Sequence, residues 1–255
     1  MQDSRAGELQ DTLPELNEVW QETIGWQPTE AQQQQFQQLY QSILVGNRQL
    51  NLTRITEPQE FWEKHLWDSL RGIQPWLSSL DASDSKSLKA IDIGTGAGFP
   101  GVPAAIVCAN WQITLLDSTR KKIAFIDSLL TQLNLRNAKT LVDRVEAIGQ
   151  ERHYRDHYNL ALIRAVSAAS VCAEYTLPLL KVGGTAVLYR GQWTEEEQTG
   201  LDRALAKLGG KQTFVDAFTT PFTGGIRHCI HIQKEKPTPI EFPRAIGVPV
   251  QKPLG

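Results

Sequence analysis

The stretch Ile91 to Gly101, IDIGTGAGFPG, puts four glycines into eleven residues, between an apolar run ending at Ile93 and another starting at Val102. Glycine tolerates positive φ and lets a ligand approach where a Cβ would collide, so such a cluster between a strand and a helix marks a ligand's approach to backbone. Dinucleotides, mononucleotide phosphates and S-adenosylmethionine all use turns of this kind. The rest of the chain has to choose among them.

Outward from the turn, β and α segments alternate. Strands are predicted at Leu88 to Ile93, Gln112 to Asp117, Ala138 to Val142, Asn159 to Ile163 and Thr185 to Tyr189, with helices at Val102 to Ala109, Arg120 to Leu135, Ala168 to Leu180 and Glu195 to Leu208. Near-continuously apolar strands separated by helices imply a parallel sheet covered on both faces. Two last strands, around Lys211 to Ala217 and Ile226 to Gln233, are too close for a helical crossover and should form a hairpin that inserts one antiparallel strand. The expected class is α/β, Rossmann-like, with a mostly parallel seven-stranded sheet.

Upstream, the pattern is helical. In TEAQQQQFQQLYQSILVGNRQLNLT, Phe36, Leu39, Tyr40, Ile43 and Leu44 recur at three and four, with Thr29 as N-cap and Glu30 in the first turn; PQEFWEKHLWDSLRGI follows as a second helix. The Ser/Asp-rich LSSLDASDSKS, Leu77 to Ser87, reads as a join. The expected organisation is a helical region at 1–80, a linker at 81–87, the main domain at 88–235 and a Pro-rich basic tail at 236–255.

Composition bounds the function. With 26 Lys+Arg against 28 Asp+Glu the net charge is −2 and the pI about 6.2, which excludes a strongly basic, charge-driven nucleic-acid binder but not local basic clusters. Cys108, Cys172 and Cys229 lie far apart in apolar surroundings, so core packing is expected, with no disulfide framework and no metal site. The polar, acidic MQDSRAGELQDTLPEL lacks an apolar signal region and no stretch reaches a membrane span, so a cytoplasmic protein is expected.

The ligand narrows next. The dinucleotide fingerprint GxGxxG needs glycine at its third place to pack helix on strand; counted from Gly94 and Gly96, that place is Phe99. No GK[ST] follows, so a P-loop fails too. What remains is DxGxGxG, formed by Asp92, Gly94, Gly96 and Gly98. Asp117 ends the second strand, about twenty residues past the glycines, where a carboxylate can hold ribose hydroxyls; the same spacing suits NAD, and Asp117 could instead cap the helix that starts near Arg120.

Seven stretches carry a resemblance: NLT (Asn51 to Thr53), KHLWDSL (Lys64 to Leu70), IDIGTGAGFPG, LLDSTRKKIAFI (Leu115 to Ile126), DRVE (Asp143 to Glu146), IRAVS (Ile163 to Ser167) and the tail FPRAIGVPVQKPL. From about Gln35 onward the chain resembles the bacterial glucose-inhibited-division protein B family, the 16S ribosomal RNA (guanine-N7) methyltransferases. It departs at Ala245, where a second basic residue is common, and at Tyr189-Arg190-Gly191, where the family tends to Lys-Gly.

The resemblance implies S-adenosylmethionine as cofactor, held by Gly94, Gly96, Gly98 and Phe99 from the first loop, by Asp117, Ser118 and Thr119 at the second strand end, and by Val145 and Glu146 flanking the adenine. Arg164 would touch the cofactor carboxylate or the incoming nucleotide as a positioning residue, unless it makes only a surface ion pair. No D/N-P-P-Y motif for an exocyclic amine and no Pro-Cys pair for cytosine C5 occurs, consistent with transfer to guanine N7, whose lone pair is free of any proton. The implied partner is 16S rRNA in the small ribosomal subunit, met as a monomer. His65, Asp68 and Ser69 share a helical face that either leans over the site or bonds within itself. Arg120, Lys121 and Lys122 are cations opening a helix, which a nearby phosphate would favour, or else they form a solvated helix face; the tail, with Lys236, Arg244 and Lys252, is too Pro-rich for helix or inner strand and reads as a strap over the domain, an RNA-contacting arm, or both. Arg227 and His228 stay unassigned. Two other classes compete: a nicotinamide oxidoreductase, and a non-catalytic ribosome-assembly or RNA-binding module on a degenerate nucleotide fold.

Overall fold

Alternation along the central strands divides the protein's apolar side chains between two faces of one sheet. The computed structural model describes residues 12–78 and 87–255; the predicted linker, Ser87 apart, lies outside them. The strands are β1 Lys89–Ile93, β2 Gln112–Asp117, β3 Ala138–Val142, β4 Tyr158–Arg164, β5 Leu180–Arg190, β6 Gly210–Thr219 and β7 Ile226–Lys234. They form one seven-stranded sheet in the order β3-β2-β1-β4-β5-β7-β6. Strands β1 to β5 pair in parallel, and β7 runs antiparallel to both β5 and β6, as the short connection required.

Ala90, Leu115, Leu160, Leu162 and Val187 point to one face, where the N-terminal helices and the helices Gly101–Val107 and Arg120–Gln132 cover them. Ile91, Leu116, Ala161, Ile163, Ala186 and Leu188 point to the other, beneath Ala169–Thr176, Glu195–Leu208 and Phe242 of the tail. Burial on both faces explains why these strands read as unbroken apolar runs. The three cysteines are buried among them. No helix among the described residues is long and apolar enough to cross a membrane.

The helical region joins this core. Helix Glu30–Leu50 opens on a full capping box: Thr29 Oγ1 accepts from Gln32 N at 3.3 Å, and Gln32 Oε1 accepts from Thr29 N at 2.9 Å. The second predicted helix runs from Pro58 to Arg71, with a π-helical turn at Trp62–Trp67. That turn packs Trp62 against Trp20 at 4.6 Å between ring centroids and buries the Glu63 carboxylate, which accepts from Phe222 N, Thr223 N and Thr223 Oγ1 at the tip of the β6–β7 connection. Arg71 closes the same junction with a bidentate pair to Asp216, both bonds 2.9 Å.

Several boundaries shift by one to five residues from the sequence reading, and two segments depart from it in kind. The helix predicted over Ala168 to Leu180 ends at Thr176, because Pro178 turns the chain into a short 3-10 segment and β5 starts at Leu180. The tail does contain a helical turn, Val248–Gln251; Pro249 sits in its first turn, where a missing N–H costs nothing.

Gly72 marks the tightest approach of the helical region to the sheet, since an added Cβ would fall inside the Tyr189 ring. Tyr189 Oη also donates to Ser69 O at 2.8 Å. Gly72→Ala is expected to destabilise the protein by about 1–3 kcal/mol through overpacking, read as a lower urea midpoint; an unchanged midpoint would show that the two layers have room to part.

Candidate functional site

Parallel strands bring the carboxyl ends of β1, β2, β3 and β4 to one edge, and the sheet order reverses between β1 and β4, which is where open α/β sheets bind ligands. A cleft of about 240 Å³ lies there, lined by Gly94, Asp117, Ser118, Asp143, Arg144, Val145, Val166, Tyr175 and Val250, with Ile93 and Leu116 at its floor.

The glycine turn is held down from β2. Gly94 N and Thr95 N both donate to Leu116 O, at 2.8 and 3.0 Å. Gly96 N donates to Asp117 Oδ2 at 3.0 Å, and Thr119 N to Asp117 Oδ1 at 2.8 Å. Both alternatives for Asp117 thus meet in one side chain: it lines the cleft and also organises the start of helix Arg120–Gln132. Gly94, Gly96 and Gly98 take φ of 70°, 61° and 99°. Beneath the turn Asp92 is fully buried; Oδ2 accepts from Gly101 N at 2.8 Å, while Oδ1 and Thr95 Oγ1 have no hydrogen-bond partner among the described residues. Burial pushes the Asp92 carboxyl up to about 6, against the opposing pull of the Gly101 N–H and the Arg164 charge.

Phe99 stands behind the turn rather than in the cleft. Its ring stacks on His65 with centroids 4.4 Å apart and planes at 8°, and the Arg164 guanidinium lies 5.6 Å from its centroid. Arg164, at the end of β4, donates to Lys64 O and to Asp68 Oδ2, both at 2.9 Å. The pair is largely buried, with side chains 17% and 11% exposed, so it is no surface ion pair; it fastens the π-helical segment to the site edge. His65 is buried, and its Nε2 meets Thr53 Oγ1 at 2.8 Å. Burial, with the charges of Arg164 and Lys64, pushes it down to about 3, so the ring is neutral at physiological pH. As a buried packing group it does not offer itself to a polynucleotide. Ser69 Oγ donates to His65 O, so the predicted shared face serves partly internal bonding and partly the clamp on Arg164.

Glu146 also stands apart from the cleft. Its buried carboxylate accepts from Arg144, from Tyr175 Oη at 3.2 Å and from Gly247 N at 3.0 Å, tying the tail to the third strand's exit. Burial raises its carboxyl, but the bonds from Arg144 and Gly247 outweigh that and hold it below the usual range. Arg244 is likewise committed inward, with Nε and a terminal nitrogen on the buried carboxylate of Glu174 at 2.9 and 2.6 Å. The tail is therefore a strap, and it brings Val250 to the cleft. Arg120, Lys121 and Lys252 are exposed and Lys122 half-buried, all flanking the cleft in sequence or in space with no ion pair among the described residues. Asp143, Arg144, Val166, Tyr175 and Val250 escaped the site prediction, although all but Tyr175 lie in the quoted stretches DRVE, IRAVS and FPRAIGVPVQKPL.

The comparisons decide the family. The model described as rRNA small subunit methyltransferase G (GidB) matches residues 32–230. The chain belongs to this family. It is 62% identical to "Ribosomal RNA small subunit methyltransferase G" of Trichormus variabilis over 96% of this chain and 100% of that one, and 61% identical to the protein of the same name from Nostoc punctiforme over the same shares. Among solved structures, a 16S rRNA (adenine(1408)-N(1))-methyltransferase of Catenulisporales acidiphilia, determined with SAM, superposes with a TM-score of 0.51 at 14% identity, covering 65% of this chain and 92% of that one; the likeness is one of fold. The protein is an rRNA small subunit methyltransferase, and neither the oxidoreductase reading nor the non-catalytic one survives.

Replacing Arg244 by Ala leaves Glu174 buried without its cation. The variant is expected to lose about 3 kcal/mol and to be cut faster in the strap by a glutamyl endopeptidase, after Glu235 and Glu241. An unchanged urea midpoint with unchanged cleavage would mean that this pair does not hold the tail.

Proposed function

We propose that the protein transfers a methyl group from S-adenosylmethionine to N7 of a guanine in the decoding-region loop of 16S rRNA, as a cytoplasmic monomer. The observation that carries the choice of donor is the space at the glycine turn. A Cβ on Gly96 would meet only Gly94 O, 3.8 Å away, so the room in front of the turn is open to a ligand. Asp92 Oδ1 and Thr95 Oγ1 are the buried, unpartnered polar atoms beside it, suited to a cationic amino-acid end. Asp117 would take the ribose hydroxyls, with Ser118 and Thr119 beside it. Val145 and Val250 would wall the adenine, and Gly94 and Gly98 would shape the turn. Glu146 and Phe99 would act from behind, one by holding the strap and the other by bracing the turn.

When bound, the donor supplies an electrophilic methyl on a sulfonium. Guanine N7 presents a lone pair with no proton to remove, so the protein needs no general base at the transfer position. His65, buried and held neutral, is packed against Phe99 and Thr53 rather than set at the transfer position. The protein's own contribution is positioning and electrostatics. Arg164, engaged by Asp68 and Lys64 O, keeps the helical region in register with the strand ends. Near the cleft, Arg120, Lys121, Lys122 and Lys252 would be available to RNA phosphates, while Arg244 is paired internally and His65 is buried.

The test is methyl transfer from labelled S-adenosylmethionine to small subunits from cells lacking the enzyme, followed by reduction and aniline cleavage. One new cleavage site in 16S rRNA is expected. Label in the RNA without cleavage would discard N7, and no label would discard the reaction.

Asp92 adds a pH dependence. Its folded value stands above the ordinary carboxylate one, so ionisation near neutral pH costs the fold stability, and a bound cation offsets that cost. Affinity for S-adenosylmethionine is expected to fall as pH drops from 7 through about 6, with a shallower dependence in Asp92→Asn. Equal slopes for the two proteins in calorimetry would remove Asp92 from the cofactor's surroundings.

A further inference from the structure

The opposite edge of the same sheet holds a second pocket. The amino ends of β1, β2, β3 and β4 gather there, about 15–20 Å along the strands from the glycine turn. The pocket has a volume of about 220 Å³, and its charged and aromatic lining is Lys89, Arg136, Lys139, His153, Tyr154 and His157. No carboxylate lines it, and among the described residues none of its three cations or two imidazoles makes an ion pair.

Two contacts set it apart from an ordinary solvated patch. Lys89 Nζ lies 3.2 Å from His157 Nε2. An ammonium only donates, so the imidazole accepts at Nε2 and carries its proton on Nδ1. A cation thus leans on a neutral ring for want of an anion. His153 also lies over His157, with centroids 6.2 Å apart and planes at 18°, and Tyr154 meets His153 edge-on at 5.2 Å. Flat rings beside unpaired cations can take a base on its face and a phosphate at its end.

We propose that this pocket binds a nucleotide, its phosphate between Lys89, Arg136 and Lys139 and its base against the His153, His157 and Tyr154 rings. The inference stands independently of the reaction at the glycine turn. Burial and the neighbouring charges of Lys89, Lys181, His153 and Lys139 hold His157 below the usual imidazole range, so an incoming phosphate is expected to raise it. The phosphate can come from a free nucleotide or from an RNA strand, and the probes separate the two.

The full chain, with its cofactor cleft filled by excess S-adenosylhomocysteine, is titrated with uridine diphosphate and, separately, with a short single-stranded oligouridylate. Binding is read by calorimetry and by the NMR titration of His157. The comparison protein is the double variant Arg136→Glu, Lys139→Glu; both positions are exposed, so the fold is unaffected. Uridine diphosphate binding that raises the His157 pKa and weakens at least about tenfold in the variant establishes a free-nucleotide site. Binding of the oligonucleotide alone, weakened in the variant with a salt slope smaller by about one to two, establishes an RNA contact. Neither probe moving His157, or equal affinities in both proteins, overturns the proposal.

Discussion

The carboxylate of Asp117 is the constraint on which the site depends. With one oxygen on Gly96 N and the other on Thr119 N, it joins the glycine turn of one strand to the first turn of the helix after the next. Leu116 O, one residue earlier, takes the two preceding amides of the same turn. A glycine-rich segment would otherwise sample many conformations, and glycine loses more freedom on folding than any other residue. Three bonds from the end of β2 select one of them and leave the space in front of Gly96 clear.

Two outer elements close on that frame, each through an arginine and a buried carboxylate. The helical region is locked to β4 by Arg164 and Asp68, with Phe99 and His65 stacked beneath the guanidinium. The tail is locked to the other face by Arg244 and Glu174 and, through Gly247 N, by Glu146. Largely buried pairs of this kind, bidentate at Arg244–Glu174 and single at Arg164–Asp68, hold geometry more than they add stability. Both arginines resemble ligand contacts on charge alone; their partners give them structural work, and exposed cations remain beside the cleft at the start of helix Arg120–Gln132 and after the tail's last turn.

How far the sequence foretold this follows from how local each signal is. The strand positions and the antiparallel insertion were legible because β1 to β5 are buried on both faces and the last connection is too short for a crossover. The glycine turn and Asp117 were legible because motif and spacing lie within one βαβ unit. The inward commitments of Glu146 and His65 were not legible because their partners, Gly247 and Arg164, are about a hundred residues away in sequence, beyond any pattern in their own segments. Val250 lies in a quoted motif, but its arrival at the cleft depends on the fold of the tail and had no signal of its own. The basic pocket at the amino ends of the strands left no motif, since its lining comes from separated strand starts and turns that only the parallel register brings together.

The most direct measurement is calorimetric titration of S-adenosylmethionine into Gly96→Ala beside the unaltered protein, with thermal unfolding of both recorded. At φ 61° an alanine costs about 1 kcal/mol of strain, and the added methyl meets no close neighbour, so the fold is expected to persist. If the cofactor lies against the turn, affinity drops at least about tenfold while unfolding moves only slightly. Undiminished affinity in a folded variant would contradict the placement of the methyl donor at this turn.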